Sequence, residues 1–309
     1  MVKRGKVAVV GPRHLEEKLM PVFGKKFSTA VFFSVDTIRL NVGRKMSVTV
    51  GKIDLATFDY VLILPEKSRK EFYYTMARIL EKKTKVSVSS ETLSYFWNRP
   101  AIMGKLLKDG IPIRKLASIS QNVAADFITN EFKLPVVLTT PQGQKVYVSN
   151  EKTLRNVLSL FSAGHMVSVQ KPVRGAIVYV TFISDREAVG YKKEGDKRIP
   201  IKLNSDVCEL GKKIRKSLET DFCIATFISS GKRLKLSNIQ LVPDFDMFNK
   251  VVGKDLATVM AEETTYKIVS VDVVEIVERS LEKFGKTFEK FAGWFGNEIS
   301  NFRSAKKKL

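Results

Sequence analysis

Apolar residues near the start of the chain fall in short continuous blocks. Lys6-Val-Ala-Val-Val-Gly11 and Tyr60-Val-Leu-Ile-Leu-Pro65 are bounded by turn residues, a pattern that predicts strands buried on both faces. Ala30–Val35 and Lys85–Ser90 read as further strands, whereas Ser68–Lys82 has the spacing of an amphipathic helix. Strands alternating with helices imply a small α/β domain with a mainly parallel sheet. The turn after the first strand, Gly11-Pro-Arg-His14, lacks the Gly-x-Gly-x-x-Gly that lets a backbone approach a pyrophosphate, which argues against dinucleotide binding there.

From Ser90 the pattern changes. Glu91–Asp109 reads as one long helix, stopped by Gly110 and released into an extended Ile111-Pro-Ile113. Leu134–Leu138 is a strand, Glu151–Ser162 a helix, and Met166–Val173 with Ala176–Ile183 a pair of strands. Val207–Glu219 is a helix leading into strands at Phe222–Ile228 and Arg233–Gln240. Beyond Ser270, Val274, Val277, Leu281, Phe284, Phe288, Phe291, Phe295, Ile299 and Phe302 recur at steps of three and four, with Trp294 beside them, and predict an amphipathic helix ending in the basic Lys306–Lys308. Gly285, Gly293 and Gly296 each cost such a helix about 1 kcal/mol against Ala, so it needs a surface to fold upon. That surface is the chain's own body, a second copy, another protein, or a membrane met through Phe288, Phe291, Trp294 and Phe295. The expected division is residues 1–97, 98–270 and 271–309.

The formal charge of +21 over 309 residues directs the chain toward polyanions, with nucleic acid or an anionic membrane surface the natural partners. The cations are spread along the chain, so solubility alone also accounts for them. Cys208 and Cys223 support neither a disulfide framework nor a zinc site, and His14 and His165 have no metal-ligand spacing. The apolar run Val7–Val10 is too short for a secretory or transmembrane segment, and a cytoplasmic location is expected.

Several segments carry a resemblance in their order: the helix ending Lys108-Asp-Gly-Ile-Pro-Ile113, the Pro135-Val-Val-Leu138 strand and Val169-Gln170. After these come Thr226 in Ile224-Ala-Thr-Phe-Ile228, the strand end Asn238-Ile-Gln240, Pro243 and Val252-Gly-Lys-Asp-Leu-Ala257. Over Met1–Ala261 the chain resembles the ATP-grasp ligases, especially the ribosomal-protein glutamate ligases and the amino-carrier-protein ligases of lysine biosynthesis. The resemblance implies an α/β fold of the α+β ATP-grasp kind, with an N-terminal α/β domain, two ATP-grasp subdomains that clamp ATP, and the C-terminal amphipathic helix added.

It also implies where the chemistry sits. The two phosphate-binding lysines fall at Arg99 and Thr139, and the glycine-rich loop becomes Thr140-Pro-Gln-Gly-Gln-Lys145, with a single Gly143 and a basic Lys145. The hinge strand carries Gln170 and, in place of an acid, Lys171; the arginine expected to steady an acyl phosphate is Val178. The magnesium ligands fall at Thr226, Asn238 and Gln240, which offer no anionic oxygen. A strand register shifted by two residues would bring Asp221, Asp244 or Asp246 there instead.

The reading reached from sequence is therefore a catalytically inactive ATP-grasp-like protein, without a cofactor beyond residual ATP binding. It would hold RNA or a ribonucleoprotein such as the ribosome through Lys3, Arg4, Lys6, Arg44, Lys45, Lys82, Lys83, Lys192, Lys193, Lys197, Arg198, Lys212 and Lys213. The alternatives are a scaffold that docks on protein or membrane through its terminal helix, and an ATP-dependent carboxylate–amine ligase with altered active-site residues.

Overall fold

The computed structural model of the chain describes residues 5–269 apart from 97, 121–123, 141–143, 161–165, 174, 184–187, 195–196 and 231–232. Lys3, Arg4, Gly143 and the whole apolar stripe from Leu281 to Phe302 lie outside the described residues. The described residues up to Ala261 form one compact unit, and those from Glu262 onward belong to a second.

The chain begins with β1 (Lys6–Gly11), α1 (Glu16–Lys26), β2 (Thr29–Ser34), β3 (Arg39–Asn41), β4 (Ser47–Val50), β5 (Ile53–Asp54), β6 (Tyr60–Ile63), α2 (Lys70–Leu80) and β7 (Lys85–Val86). Strands β2-β1-β6-β7 form a wholly parallel sheet, as the continuous apolar runs require. Val7, Val9, Val61 and Leu62 have no solvent exposure. A small antiparallel sheet, β3-β4-β5, covers part of the same core through Val48. The strand expected over Lys85–Ser90 is cut to β7. Ser87 instead accepts the Ile63 backbone N–H at 2.8 Å, and Ser89 accepts the N–H of Thr92 as the chain turns into a helix.

The single helix expected over Glu91–Asp109 is two: α3 (Ser90–Phe96) and α4 (Arg99–Lys108). The break follows from Asn98 and Pro100. The Asn98 side chain accepts the Ala101 N–H at 3.3 Å, and Pro100 has no N–H to continue an earlier helix, so the pair starts a new one. Gly110, at φ 78°, ends it as predicted.

Next come β8 (Leu116–Ser120), α5 (Ala124–Phe132), β9 (Val136–Thr139), β10 (Lys145–Val148), α6 (Glu151–Ser159) and β11 (Met166–Gln170). The strands form an antiparallel sheet in the order β10-β9-β11-β8. One face packs Val136, Leu138, Val167 and Val169 against Ile128, Phe132, Leu154 and Leu158 of the two helices. Because side chains alternate, the opposite face carries Val137, Thr139, Ser168 and Gln170.

The remaining elements are β12 (Ala176–Phe182), β13 (Ala188–Glu194), β14 (Lys197–Ile201), α7 (Ser205–Ser217), β15 (Cys223–Ser230), β16 (Arg233–Gln240) and α8 (Phe245–Val252). They build a five-stranded antiparallel sheet, β14-β13-β12-β15-β16. Its core joins Val180, Phe182 and Phe227 to Ile102 and Leu106 of α4 and Ile214 of α7. Gly211 lets α7 close on the sheet, since a Cβ there would lie 2.1 Å from the Phe182 ring. The pairing expected between Met166–Val173 and Ala176–Ile183 does not occur: β11 pairs with β8 and β9, and β12 pairs with β13 and β15. Pro172 lacks a ladder donor and Gly175 stands at φ 123°, so the connection carries the chain from one sheet to the next instead of folding it back.

Candidate functional site

The polar face of the four-stranded sheet and one face of the five-stranded sheet line a cleft of about 410 Å³. Arg99, Thr139, Lys145, Gln170, Lys171, Thr226, Asn238 and Gln240, expected from sequence to share a nucleotide site, all line it. The cross-strand register explains much of this convergence, because Tyr179, Thr226 and Asn238 are paired in a row across β12, β15 and β16.

Arg99 is the first residue of α4, and its placement depends on a β-bulge. The pairing of β15 with β16 shifts between Thr226 and Phe227, opposite Asn238 and Leu236, leaving Ser237 as the extra residue. The Ser237 carbonyl accepts Arg99 Nη2 at 2.6 Å, and Gln170 Oε1 accepts the same nitrogen at 3.1 Å. Arg99 Nε is buried without a hydrogen-bond partner.

Arg114 was not singled out in the sequence. A parallel bridge between Ile113 and Leu236 brings it into the cleft, where Nη2 donates to the carbonyls of Lys171 at 2.7 Å and Pro172 at 3.3 Å. Burial, and then the neighbouring Arg114 charge, push the Arg99 guanidinium below its ordinary range, and burial does the same to Arg114. Lys171 Nζ donates to the carbonyls of Lys133 and Pro135. Lys145 is exposed at the start of β10. Four cations thus line the cleft, and among its described residues there is no carboxylate.

The donor set does not fit a hard divalent ion. Thr226, Asn238 and Gln240 supply only hydroxyl and amide oxygens, and among the described residues no cluster of three or more His, Cys, Asp or Glu could hold a metal. A two-residue shift does not rescue the site. Asp221 accepts the Tyr60 hydroxyl at 2.6 Å, Asp246 pairs with Lys18 at 2.6 Å, and neither they nor Asp244 line the cleft.

A second chamber of about 690 Å³ adjoins the first, sharing Arg99 and Thr139 and reaching Lys70, Glu71 and Tyr74 of α2. The residues expected to touch nucleic acid lie elsewhere. Lys6 starts β1, and Arg44 and Lys45 sit in the turn before β4. Lys82 and Lys83 follow α2, where Lys83 Nζ donates to the Met46 carbonyl. Lys192, Lys193, Lys197 and Arg198 occupy the β13–β14 hairpin, and Lys212 and Lys213 lie on α7. Lys192 pairs with Glu194 and Lys212 with Glu209. None of these residues lines either chamber.

No protein-family model and no curated protein matches the sequence. Solved structures do match. The ATP-grasp ligase PsnB, complexed with a minimal precursor, Mg and ADP, superimposes with a TM-score of 0.68 at 12% identity, over 85% of this chain and 98% of that one. A RimK-domain ATP-grasp protein from Sphaerobacter thermophilus gives 0.65 at 17% identity, over 84% and 98%. The macrocyclase MdnC, bound to its precursor peptide MdnA from Microcystis aeruginosa, gives 0.65 at 12% identity, over 83% and 98%. The chain has the ATP-grasp fold.

These neighbours overturn the expectation of a pseudoenzyme. Among them PsnB and the Bacillus anthracis protein are named as ligases and MdnC as a macrocyclase. The cleft, which has no carboxylate among its described lining residues, is lined by Arg99, Arg114, Lys145 and Lys171. Among the described residues no helix is long and apolar enough to cross a membrane.

Proposed function

We propose that the chain is an ATP-dependent ligase that joins a carboxylate to an amine with an altered set of active-site residues. The observation that carries this reading is the convergence of Arg99, Arg114, Lys145 and Lys171 on one cleft of an ATP-grasp fold, with no carboxylate among its described lining residues. Support comes also from neighbours of the same fold solved with nucleotide, among them the D-alanine–D-alanine ligase of Bacillus anthracis complexed with ATP.

In such a reaction a carboxylate oxygen attacks the γ-phosphorus, the bond to the bridging oxygen breaks and ADP leaves. The amine then attacks the acyl carbon, phosphate departs and the nitrogen loses a proton. Negative charge collects on the transferring phosphoryl group and on the ADP oxygens, where preorganised cations lower the barrier. Arg99 and Arg114 are preorganised in this sense, being tied to the carbonyls of Ser237, Lys171 and Pro172 before any ligand arrives. Gln170 fixes the plane of the Arg99 guanidinium. No step is assigned to magnesium, because Thr226, Asn238 and Gln240 do not make a site for it.

The test is an assay of ADP and phosphate release from ATP over panels of carboxylates and amines, beside calorimetry of ATP binding. Saturable ATP binding is expected, with sustained turnover to ADP and phosphate only when both co-substrates are present. Absence of ATP binding at millimolar nucleotide, with or without Mg²⁺, sinks the reading.

A further inference from the structure

We infer that this cleft takes its polyphosphate as the metal-free anion, with arginine and lysine side chains supplying the neutralising charge in place of divalent ions. The inference rests on the nucleotide-dependent reading above and deepens it by naming the ionic form of the substrate.

Among the described residues no carboxylate balances the charge of Arg99 or Arg114. Arg99 spends Nη2 on a carbonyl and an amide oxygen and leaves Nε buried and unpartnered. Among the described residues Arg114 donates to carbonyls alone. Neutral acceptors satisfy hydrogen bonds and leave the positive charge in place. Arg99 also opens α4, where the peptide dipoles present their positive end, so the helix adds to the excess. Lys145 and Lys171 extend the cationic lining around the same space.

A bound anion relieves all of these interactions together. How much it relieves depends on the charge it brings: a polyphosphate already complexed to Mg²⁺ brings less, and carries a cation into a field that repels it. Nor does the cleft offer that cation an anionic ligand in return for its waters, since Thr226, Asn238 and Gln240 are neutral. Magnesium therefore competes with this site for the nucleotide.

The experiment is calorimetry of the full chain with ATP, and separately with inorganic tripolyphosphate, in EDTA and in saturating Mg²⁺. The expected result is at least tenfold tighter binding in EDTA for both probes, with an affinity that falls as salt is added. Binding that is tighter with Mg²⁺ overturns the inference while leaving a nucleotide-dependent ligase standing. Binding in neither condition overturns both. Lys145→Gln supplies the second arm, because the Lys145 side chain is exposed and its replacement leaves the backbone pairing with Thr139 in place. It is expected to cut affinity in EDTA severalfold and to flatten the salt dependence, and Arg114→Gln, checked for folding by circular dichroism, is expected to do so more strongly. Unchanged affinity in both folded variants also overturns the inference.

Discussion

In the N-terminal parallel sheet, β1 and β6 are sealed on both faces, and polar side chains at its margin are matched. Ser87 accepts the Ile63 N–H, and the Tyr60 hydroxyl donates to Asp221. In the cleft lined by β9, β11, β15 and β16 the opposite holds, with two partly buried guanidiniums given carbonyls in place of carboxylates. In one region Ser87 and Tyr60 find their partners within the chain, with the Tyr73 hydroxyl of α2 a buried exception. The other holds charge that no described carboxylate neutralises, at a cost that the partial exposure of both guanidiniums moderates. The difference separates scaffold from site: on the proposed reading, an anion bound in the cleft offsets the charge that the chain leaves unbalanced there.

The largest expected effect lies on the scaffold side. Leu62, fully buried in the middle of β6, loses its packing on Leu62→Ala, and urea denaturation should show a loss of about 2–5 kcal/mol. ATP affinity of the folded variant should be unchanged. A loss of nucleotide affinity in the folded variant would erase the separation between the two regions.

Asn238→Asp acts on the cleft side. A carboxylate placed among Arg99, Arg114 and Thr226 offers internal neutralisation and begins a metal ligand set. Metal-free ATP affinity should fall about tenfold, or about 1.4 kcal/mol, and added Mg²⁺ should recover part of it. Titration calorimetry in EDTA and in Mg²⁺ reads both numbers. An unchanged affinity would mean that charge in this cleft is already balanced.

The sequence made these two regions legible to different degrees. The buried strands of the parallel sheet announce themselves as unbroken apolar runs, a local signal, and so does the stop at Gly110. Mixed segments such as Ala188–Glu194 and the short Ile53–Asp54 were not legible, because their pairing is decided by neighbours distant in the chain. The helix break at Asn98 was written locally, in a capping residue followed by proline, and was overridden by the length of the periodic stretch. In the cleft, the order of elements placed Arg99, Gln170, Thr226 and Asn238 together. Arg114 escaped notice because its position depends on a bridge to Leu236, and the Ser237 carbonyl because only a bulge frees it.

A double-mutant cycle sharpens the contrast at smaller magnitude. Arg99→Gln and Arg114→Gln each relieve the same repulsion, so the second substitution cannot relieve it again. The double variant without ligand should therefore be less stable than the two single effects sum to, by about 1 kcal/mol. Thermal or urea unfolding of the four proteins measures the coupling. A double variant more stable than additivity predicts would show that the two arginines support one another, and that the cleft stores no repulsion.

The smallest effect returns to the satisfied region, where Glu81 closes α2 and accepts the backbone N–H of Ser90 at 3.0 Å, the Ser90 hydroxyl at 2.8 Å and Arg78 at 2.8 Å. Burial alone would raise its pKa, but the Ser90 backbone donor, the Arg78 and Ser90 side chains and the Arg78 charge together outweigh burial and hold it below its ordinary value near 4.5. A carboxyl depressed in the folded state binds fewer protons there than in the unfolded chain. Its stabilisation is therefore complete at neutral pH and is lost as the pH falls below about 4.5 toward the folded value. Glu81→Gln should cost about 0.5–1 kcal/mol at pH 7, a figure kept low because Arg78 is largely exposed, and progressively less as the pH drops through that window. Urea midpoints of both proteins between pH 7 and pH 3 measure the convergence. A gap independent of pH would assign the loss to geometry and not to charge, and the scaffold's polar margin would then owe its stability to shape alone.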